Sequence, residues 1–255
     1  MNNHIENTAF VLIDFDNYID LDTESLDETS LERELKDIFV DSIRSFSGVD
    51  VVHFRLYGGW LKEFSQTRRA SKIVQMLSNI NIFPFINQQE QRIIKGDIEL
   101  ANSLLKVPGI TWGNTLTERN GVRRLRINQE ALDESCFLNS QSCPPSILYH
   151  FTKHKGKTCS VNGCIKIQKD VFKAVEQKMV DTMIACDVIT ISKEIGIKGI
   201  YVLSDDFDHL PSIALASTIK SDPNLKIKLG LKNKNLIPYF QSSLTGLQIE
   251  IKHYE

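Results

Sequence analysis

The sequence predicts an α/β domain organised around a central, mostly parallel β-sheet. Three observations carry this. Short apolar runs, among them AFVLIDF at Ala9 to Phe15 and GIYVLS at Gly199 to Ser204, have the length and composition of strands buried on both faces. Segments with helical spacing of apolar residues lie between such runs. Strands that alternate with helices imply right-handed βαβ crossovers, and these join parallel neighbours.

Taken in order, the Ala9 to Phe15 strand stops on Asp14, Phe15, Asp16 and Asn17, and a Ser/Thr/Asp/Glu-rich link runs from Asp20 to Ser30. Leu31 to Phe46 places Leu31, Leu35, Ile38, Phe39, Ile43 and Phe46 on one helical face. Val49 to Tyr57 reads as a second strand, stopped by Gly58-Gly59. Ser65 to Asn79 reads as a helix with Ile73, Met76 and Leu77 inward, Ile80 to Ile86 as a third strand or extended run, and Ile94 to Leu105 as a helix.

Pro108 to Gly163 is irregular and rich in Gly and Pro, and with the adjoining Cys164 it holds four of the five cysteines. It reads as an insertion, 108–164, within a single domain spanning 1–255. Pattern resumes with a long helix from Lys173 to Ile191, the Gly199 to Ser204 strand ending on Asp205, Asp206, Phe207 and Asp208, and a helix over Leu210 to Ile219. Strands follow at Lys226 to Leu231 and Leu247 to Ile251.

The bulk properties exclude some classes. At 255 residues, 42% hydrophobic and 24% charged, the chain can bury a full core. A net charge of −2 gives no global pull toward nucleic acid or membrane, which leaves a local basic patch to do that work. No apolar run reaches the ~18–20 residues of a membrane span, and the N-terminus does not read as a signal peptide. The expected compartment is the cytoplasm, with the cysteines as reduced thiols or metal ligands.

Two apolar strands that both end in acids are the main functional signal. Ligands of open parallel sheets bind beyond the carboxyl ends of the strands. Carboxylates that converge there repel one another and raise each other's pKa, and a bound hard cation removes the conflict. Such a cation can activate water and stabilise a phosphoryl group under attack. Asp181 lies on the helix preceding the second acidic strand and can reach the same cleft. Taken singly, each aspartate reads equally well as a helix cap or a turn residue.

Three pieces of the chain resemble the NYN family, a branch of the PIN-like nucleases. Ile13-Asp14-Phe15-Asp16-Asn17 resembles that family's opening I-D-x-x-N strand. Lys178-Met179-Val180-Asp181, running on to Asp187, resembles its K-x-V-D…D helix. Ser204-Asp205-Asp206-Phe207-Asp208-His209-Leu210-Pro211 resembles S-G-D-x-D-F-x-P. The resemblance covers about Ala9 to Tyr57 and Gln177 to Ile251. It implies a PIN-like three-layer α/β/α fold and hydrolysis of phosphodiester bonds, in RNA before DNA, with Mg²⁺ or Mn²⁺. Asp14, Asp181, Asp206 and Asp208 would be the catalytic, metal-binding acids, supported by Asn17, Lys178 and Ser204. Asp205 departs from the family's glycine and His209 from its phenylalanine.

Other features are open to two readings. Arg55, Tyr57, Trp60, Arg68, Arg69 and Lys72 suit a strand of nucleic acid stacked on an aromatic ring among cations. They equally suit a core tryptophan beside a solvated helix. Arg119, Arg123, Arg124 and Arg126 are a phosphate patch or a solvated hairpin. His150, His154, Cys159 and Cys164, with Cys136 and Cys143 upstream, offer ligands for a structural Zn²⁺, although unligated thiols are the default for this spacing. Cys186 reads as helix core. Two rival functions remain: a haloacid dehalogenase-type phosphatase, with Asp14 as nucleophile and Asp16 as general acid, and a non-catalytic RNA- or protein-binding module. A homo-oligomer is compatible with either.

Overall fold

The computed structural model describes residues 6–19, 27–121, 143–153, 158–159 and 163–254. They form two compact units, one of Met1–Leu116 with Gln177–Glu255 and the other of Thr117–Glu176. The division falls inside the boundaries 108 and 164 expected for an insertion at its start and beyond them at its end. Among the described residues no helix is long and apolar enough to cross a membrane.

The larger unit is built on a seven-stranded sheet. Among the described residues the strands are, in chain order, β1 (Thr8–Asp14), β2 (Val51–Tyr57), β3 (Leu61–Lys62), β4 (Ser65–Gln66), β5 (Phe85–Asn87), β6 (Arg92–Leu100), β7 (Leu116–Asn120), β8 (Lys173–Gln177), β9 (Ile197–Leu203), β10 (Lys226–Leu231) and β11 (Ile249–His253). The sheet runs β11-β10-β9-β1-β2-β6-β5, with every neighbouring pair parallel except β5 and β6. This is the α/β architecture with a mostly parallel sheet flanked by helices that the sequence predicts, and it fits a three-layer α/β/α arrangement.

Strand order matters for function. From β1 the chain builds outward through β2 to β6, and from β9 it builds the other way through β10 to β11. β1 and β9 therefore flank the point where the sheet's winding reverses, and in open α/β sheets the crevice beyond that point takes the ligand.

The two faces of β1 follow from its alternation. Val11 and Ile13 join one apolar cluster with Leu31, Leu35, Ile38 and Phe39 of the Glu28–Ser45 helix. Leu12 joins the other, with Val180, Met183, Ile184 and Val188 of the Val180–Ser192 helix. Asp14 shares the parity of Leu12, so it emerges on the side of the Val180–Ser192 helix. On β9, Tyr201 and Leu203 lie with the first cluster and Ile200 and Val202 with the second. Ser204 continues the second parity and leaves the sheet beside Asp14.

Two expected elements are otherwise. Ile94 to Leu105, read as a helix, is mostly strand β6, which pairs parallel to β2. Its period is two: Ile94, Gly96, Ile98 and Leu100 share one side, and Ile93, Lys95, Asp97 and Glu99 the other. Gly96 is required there, because a Cβ would stand 2.2 Å from the Val52 carbonyl oxygen. The long helix expected from Lys173 to Ile191 is divided into strand β8 and a helix that starts only at Val180, with Met179 at φ 67° marking the break. Within the smaller unit, helices cover Pro144–Lys153 and Gln168–Val171, and β7 pairs with β8.

Candidate metal centre

Four aspartates from three elements converge beyond the carboxyl ends of β1 and β9. One ligand atom each from Asp14, Asp181 and His209 lie within 4.8 Å of one another, as do one each from Asp181, Asp206 and Asp208. Asp181 belongs to both groups. The inner group is the more buried: Asp14 and His209 are closed off from solvent, and Asp208 is the exposed member of the outer group.

Asp14 is held by donors on one oxygen. Its Oδ2 accepts from Asn17 Nδ2 at 2.7 Å and Ser204 Oγ at 2.9 Å, and His209 Nε2 stands 3.5 Å away. Its Oδ1 is buried with no hydrogen-bond partner. Asp14 occupies the N-cap position of the short Phe15–Tyr18 helix, yet its side chain makes no capping bond. The helix-cap explanation therefore fails for this residue. An ionised carboxylate with a buried, unpaired oxygen is costly unless a cation meets it.

Asp181 sits in the first turn of the Val180–Ser192 helix rather than midway along a longer one. The positive end of the helix favours its charge there. Its carboxyl is nevertheless raised above the ordinary carboxylate range, first by burial, with Asp14, Asp206 and Asp208 adding repulsion and His209 opposing it. Asp206 caps the Phe207–His209 turn through Oδ1, which accepts from Asp208 N at 2.9 Å, and its own N–H donates to Ser204 Oγ at 3.1 Å. Ser204 thus links the ends of β1 and β9. The donor set of hard carboxylates around an unpaired buried oxygen fits a divalent cation such as Mg²⁺ or Mn²⁺.

The neighbouring acids have other work. Asp16 forms an ion pair with Arg69 and accepts from Gly59 N at 3.2 Å, and burial raises its carboxyl above the ordinary range despite the arginine. Asp205 accepts from the backbone N–H groups of Lys232 and Asn233 at 2.9 and 3.0 Å, which fastens the loop after β10. Asp187 is buried and accepts from Tyr57 Oη at 2.7 Å and Leu105 N at 2.9 Å, with Arg55 Nε 3.7 Å away.

Two residues expected to hold substrate are placed otherwise. Trp60 is 0% exposed, and its Nε1 donates to the Leu56 carbonyl at 2.7 Å. Its ring packs against Phe15 and fills the space left by the missing side chain of Gly58, where a Cβ would lie 2.8 Å from the indole. It offers no face to a base. Arg55 is also buried, donating to Ser103 O at 2.6 Å and pairing with Glu99 at 3.1 Å, so it is a structural cation. Arg68 is exposed at the start of the Arg68–Leu77 helix. Lys178 is half-buried and its backbone N–H donates to Thr115 O at 2.9 Å.

The expectations for the other segment fall partly outside the described residues. His154, Cys136, Arg123, Arg124 and Arg126 lie outside them, and the His150 side chain is likewise not described. Cys143, Cys159, Cys164 and Cys186 are half-buried free thiols. Among the described residues the groups able to hold a metal are the two around Asp181.

Sequence reasoning missed His209 as a member of the site. The available signal was its departure from the phenylalanine of the resembling motif. It also missed the exposed aromatic pair beside the acids: Phe207, 41% exposed between Asp206 and Asp208, meets Tyr239, 55% exposed, with ring centroids 4.6 Å apart. Compared with known protein families, with curated proteins and with solved structures, the chain matches none.

Proposed function

We propose that this protein is a metal-dependent nuclease that hydrolyses phosphodiester bonds, acting on RNA in the first instance, as the resemblance to the NYN family of PIN-like nucleases implies. The observation that carries the proposal is the convergence of Asp14, Asp181, Asp206 and Asp208 at the sheet's reversal point, around a buried Asp14 oxygen with no hydrogen-bond partner.

A bound Mg²⁺ or Mn²⁺ would supply Lewis-acid stabilisation of the phosphoryl oxygens and a more acidic water. The protein supplies the positioning. Asn17 and Ser204 fix the Asp14 carboxylate through Oδ2 and leave Oδ1 for the cation. Asp181 stands between the inner and outer groups, and Asp208 lies at the exposed side, where a phosphate would arrive. Phe207 and Tyr239 present the aromatic surface on which a base of a single strand can stack, the role that Trp60 does not fill.

The phosphatase alternative needs Asp16 as a mobile general acid. Here Asp16 is fastened to Arg69 and Gly59. The test is incubation of labelled RNA and DNA, single- and double-stranded, with Mg²⁺ or Mn²⁺. Cleavage of single-stranded RNA is expected, lost in excess EDTA and reduced by about 100-fold or more in Asp14→Asn and Asp206→Asn, the scale on which loss of one electrostatic contributor acts. Cleavage that persists in EDTA or in both variants overturns the reading. Binding of RNA without cleavage under every metal condition would leave the chain a binding module.

A further inference from the structure

Resting on the metal-centre reading above, we propose that His209 is a nitrogen ligand at the inner cation position and biases that position toward a first-row transition ion, probed here as Mn²⁺, over Mg²⁺. The two groups around Asp181 differ in chemistry. The outer one, Asp181 with Asp206 and Asp208, is all carboxylate and partly exposed. The inner one replaces a carboxylate by an imidazole, on a side chain 0% exposed to solvent. Mg²⁺ demands oxygen ligands and keeps several waters. Imidazole is a better ligand for first-row transition ions than for Mg²⁺, and Mn²⁺ is the hardest and weakest-binding of that series.

The spacing supports ligation over hydrogen bonding. His209 Nε2 lies 3.5 Å from Asp14 Oδ2 and 4.0 Å from Asp181 Oδ1. Charge-assisted hydrogen bonds of this kind run at about 2.7–2.9 Å, so neither contact is a good one. Donors that share one ion at ~2.1 Å stand roughly 3.0 Å apart at a right angle and roughly 4.2 Å apart in line, and the His209–Asp181 separation falls in that interval. The ring has no substitute partner: Nδ1 is buried and without a hydrogen bond. A buried imidazole short of good partners at both nitrogens, beside a buried carboxylate oxygen that also lacks one, is accounted for by a cation between them.

The backbone puts the ring there. Asp206 caps the Phe207–His209 turn, and the Leu210–Ile219 helix starts directly after it, with Pro211 in its first turn. Ser212 Oγ donates to the His209 carbonyl at 2.8 Å. These contacts fix the main chain of His209 and point to a rigid placement of its ring.

The test is direct metal binding, without reference to cleavage. Mn²⁺ and Mg²⁺ affinities of the full chain are measured by calorimetry, and bound Mn²⁺ is examined by pulsed electron paramagnetic resonance for coupling to imidazole nitrogen. Mn²⁺ is expected to bind at least ~10-fold more tightly than Mg²⁺, with ¹⁴N modulation that changes on ¹⁵N-histidine labelling. His209→Asn should abolish the modulation and weaken Mn²⁺ by ~10-fold or more while Mg²⁺ changes little, so that the preference disappears. The wild-type spectrum decides even if that variant fails to fold. Bound Mn²⁺ without nitrogen coupling overturns the role of His209 and leaves the carboxylate centre standing. Failure of the wild type to bind either ion overturns both.

Discussion

Replacing Asp181 by asparagine should make the metal-free protein more stable and the metal-loaded protein less so. In the absence of a cation, Asp181 faces Asp206 and Asp208 on one side and Asp14 on the other. At the 4.8 Å limit of each group, a pair of like charges costs about 0.9 kcal/mol in bulk water and about 3.5 kcal/mol at an effective dielectric of ~20. The Asp181 side chain is 48% exposed, which places its pairs toward the lower figure. With the His209 attraction and the helix-end preference of Asp181 set against the three repulsions, Asp181→Asn should gain about 1–2 kcal/mol at low salt. For a chain of this size that is roughly 2–8 °C in Tm. Metal reverses the order: a ligand at a hundred times its Kd stabilises the wild type by about 2.7 kcal/mol, and the variant should retain less than half of that.

The assay is thermal unfolding of both proteins in EDTA and in Mn²⁺, at low salt and at 1 M salt, where screening should shrink the variant's advantage. The pH dependence has a definite sign. A carboxyl whose folded pKa is raised binds more protons in the folded than in the unfolded state, so its penalty is complete above the raised value. That penalty is relieved as pH falls toward the ordinary carboxylate value. The metal-free wild type should gain on the variant over that window, because burial and the neighbouring acids raise Asp181. A variant that is destabilised in EDTA, or one that gains as much from Mn²⁺ as the wild type does, would refute the convergence of charge at Asp181.

Three further outcomes separate site from scaffold. Asp205→Gly removes the acceptor of the Lys232 and Asn233 N–H groups and should cost about 1–2 kcal/mol in denaturant unfolding, with Mn²⁺ affinity by calorimetry unchanged. Asp187→Ala strips one of two carboxylates from buried Arg55, leaving Glu99, and the acceptor from Tyr57 and Leu105. It should cost about 3 kcal/mol, again with Mn²⁺ affinity intact in the folded fraction. Phe207→Ala and Tyr239→Ala should each weaken binding of single-stranded RNA in EDTA by about 1–3 kcal/mol, read by fluorescence anisotropy, and leave the Mn²⁺ affinity alone.

Much of the fold was legible because its central strands are unambiguous. β1 and β9 are largely apolar on both faces, β10 sets Ile227, Leu229 and Leu231 on one face, and all three stop at charged or polar residues. β6 was not, because Ile93-Ile94 and Leu104-Leu105 imitate helical spacing while the true period of two runs between them through Gly96. The start of the helix at Val180 was equally hidden. Met179 takes a left-handed backbone with neither glycine nor proline to signal it, and this moves Asp181 from mid-helix to a helix end. Strand order cannot be read from a linear pattern, so the reversal between β1 and β9 that gives Asp14 and Asp206 a common crevice emerged only with the sheet. Trp60 shows the limit for aromatics: its composition-level surroundings suit a stacking platform, and only the fold-back over Gly58 shows that its ring is buried.

The acids themselves sort by a physical criterion that no motif supplies. Asp16, Asp41, Asp187 and Asp205 each face cations or hydrogen-bond donors: Arg69 and Gly59 N for the first, Lys228, Lys252 and Tyr201 for the second, Tyr57, Leu105 N and Arg55 for the third, and two backbone N–H groups for the last. Each of these carboxylates has its charge met by groups of the fold, although burial still raises Asp16 and Asp187. Asp14, Asp181, Asp206 and Asp208 stand close to one another, and besides the Asn17 and Ser204 donors on Asp14 and the Asp208 N–H on Asp206 they share the His209 imidazole. Burial and this crowding raise the Asp181 carboxyl and penalise its charge in the metal-free fold, a penalty that a cation would remove. The same criterion explains why adjacency in sequence misleads here. Asp205 and Asp206 are neighbours, but alternation past the end of β9 sends one to the β10 loop and the other to the cleft. Asp14, Asp181 and Asp206, far apart in the chain, are brought to one centre by the parity of two strands and the first turn of a helix.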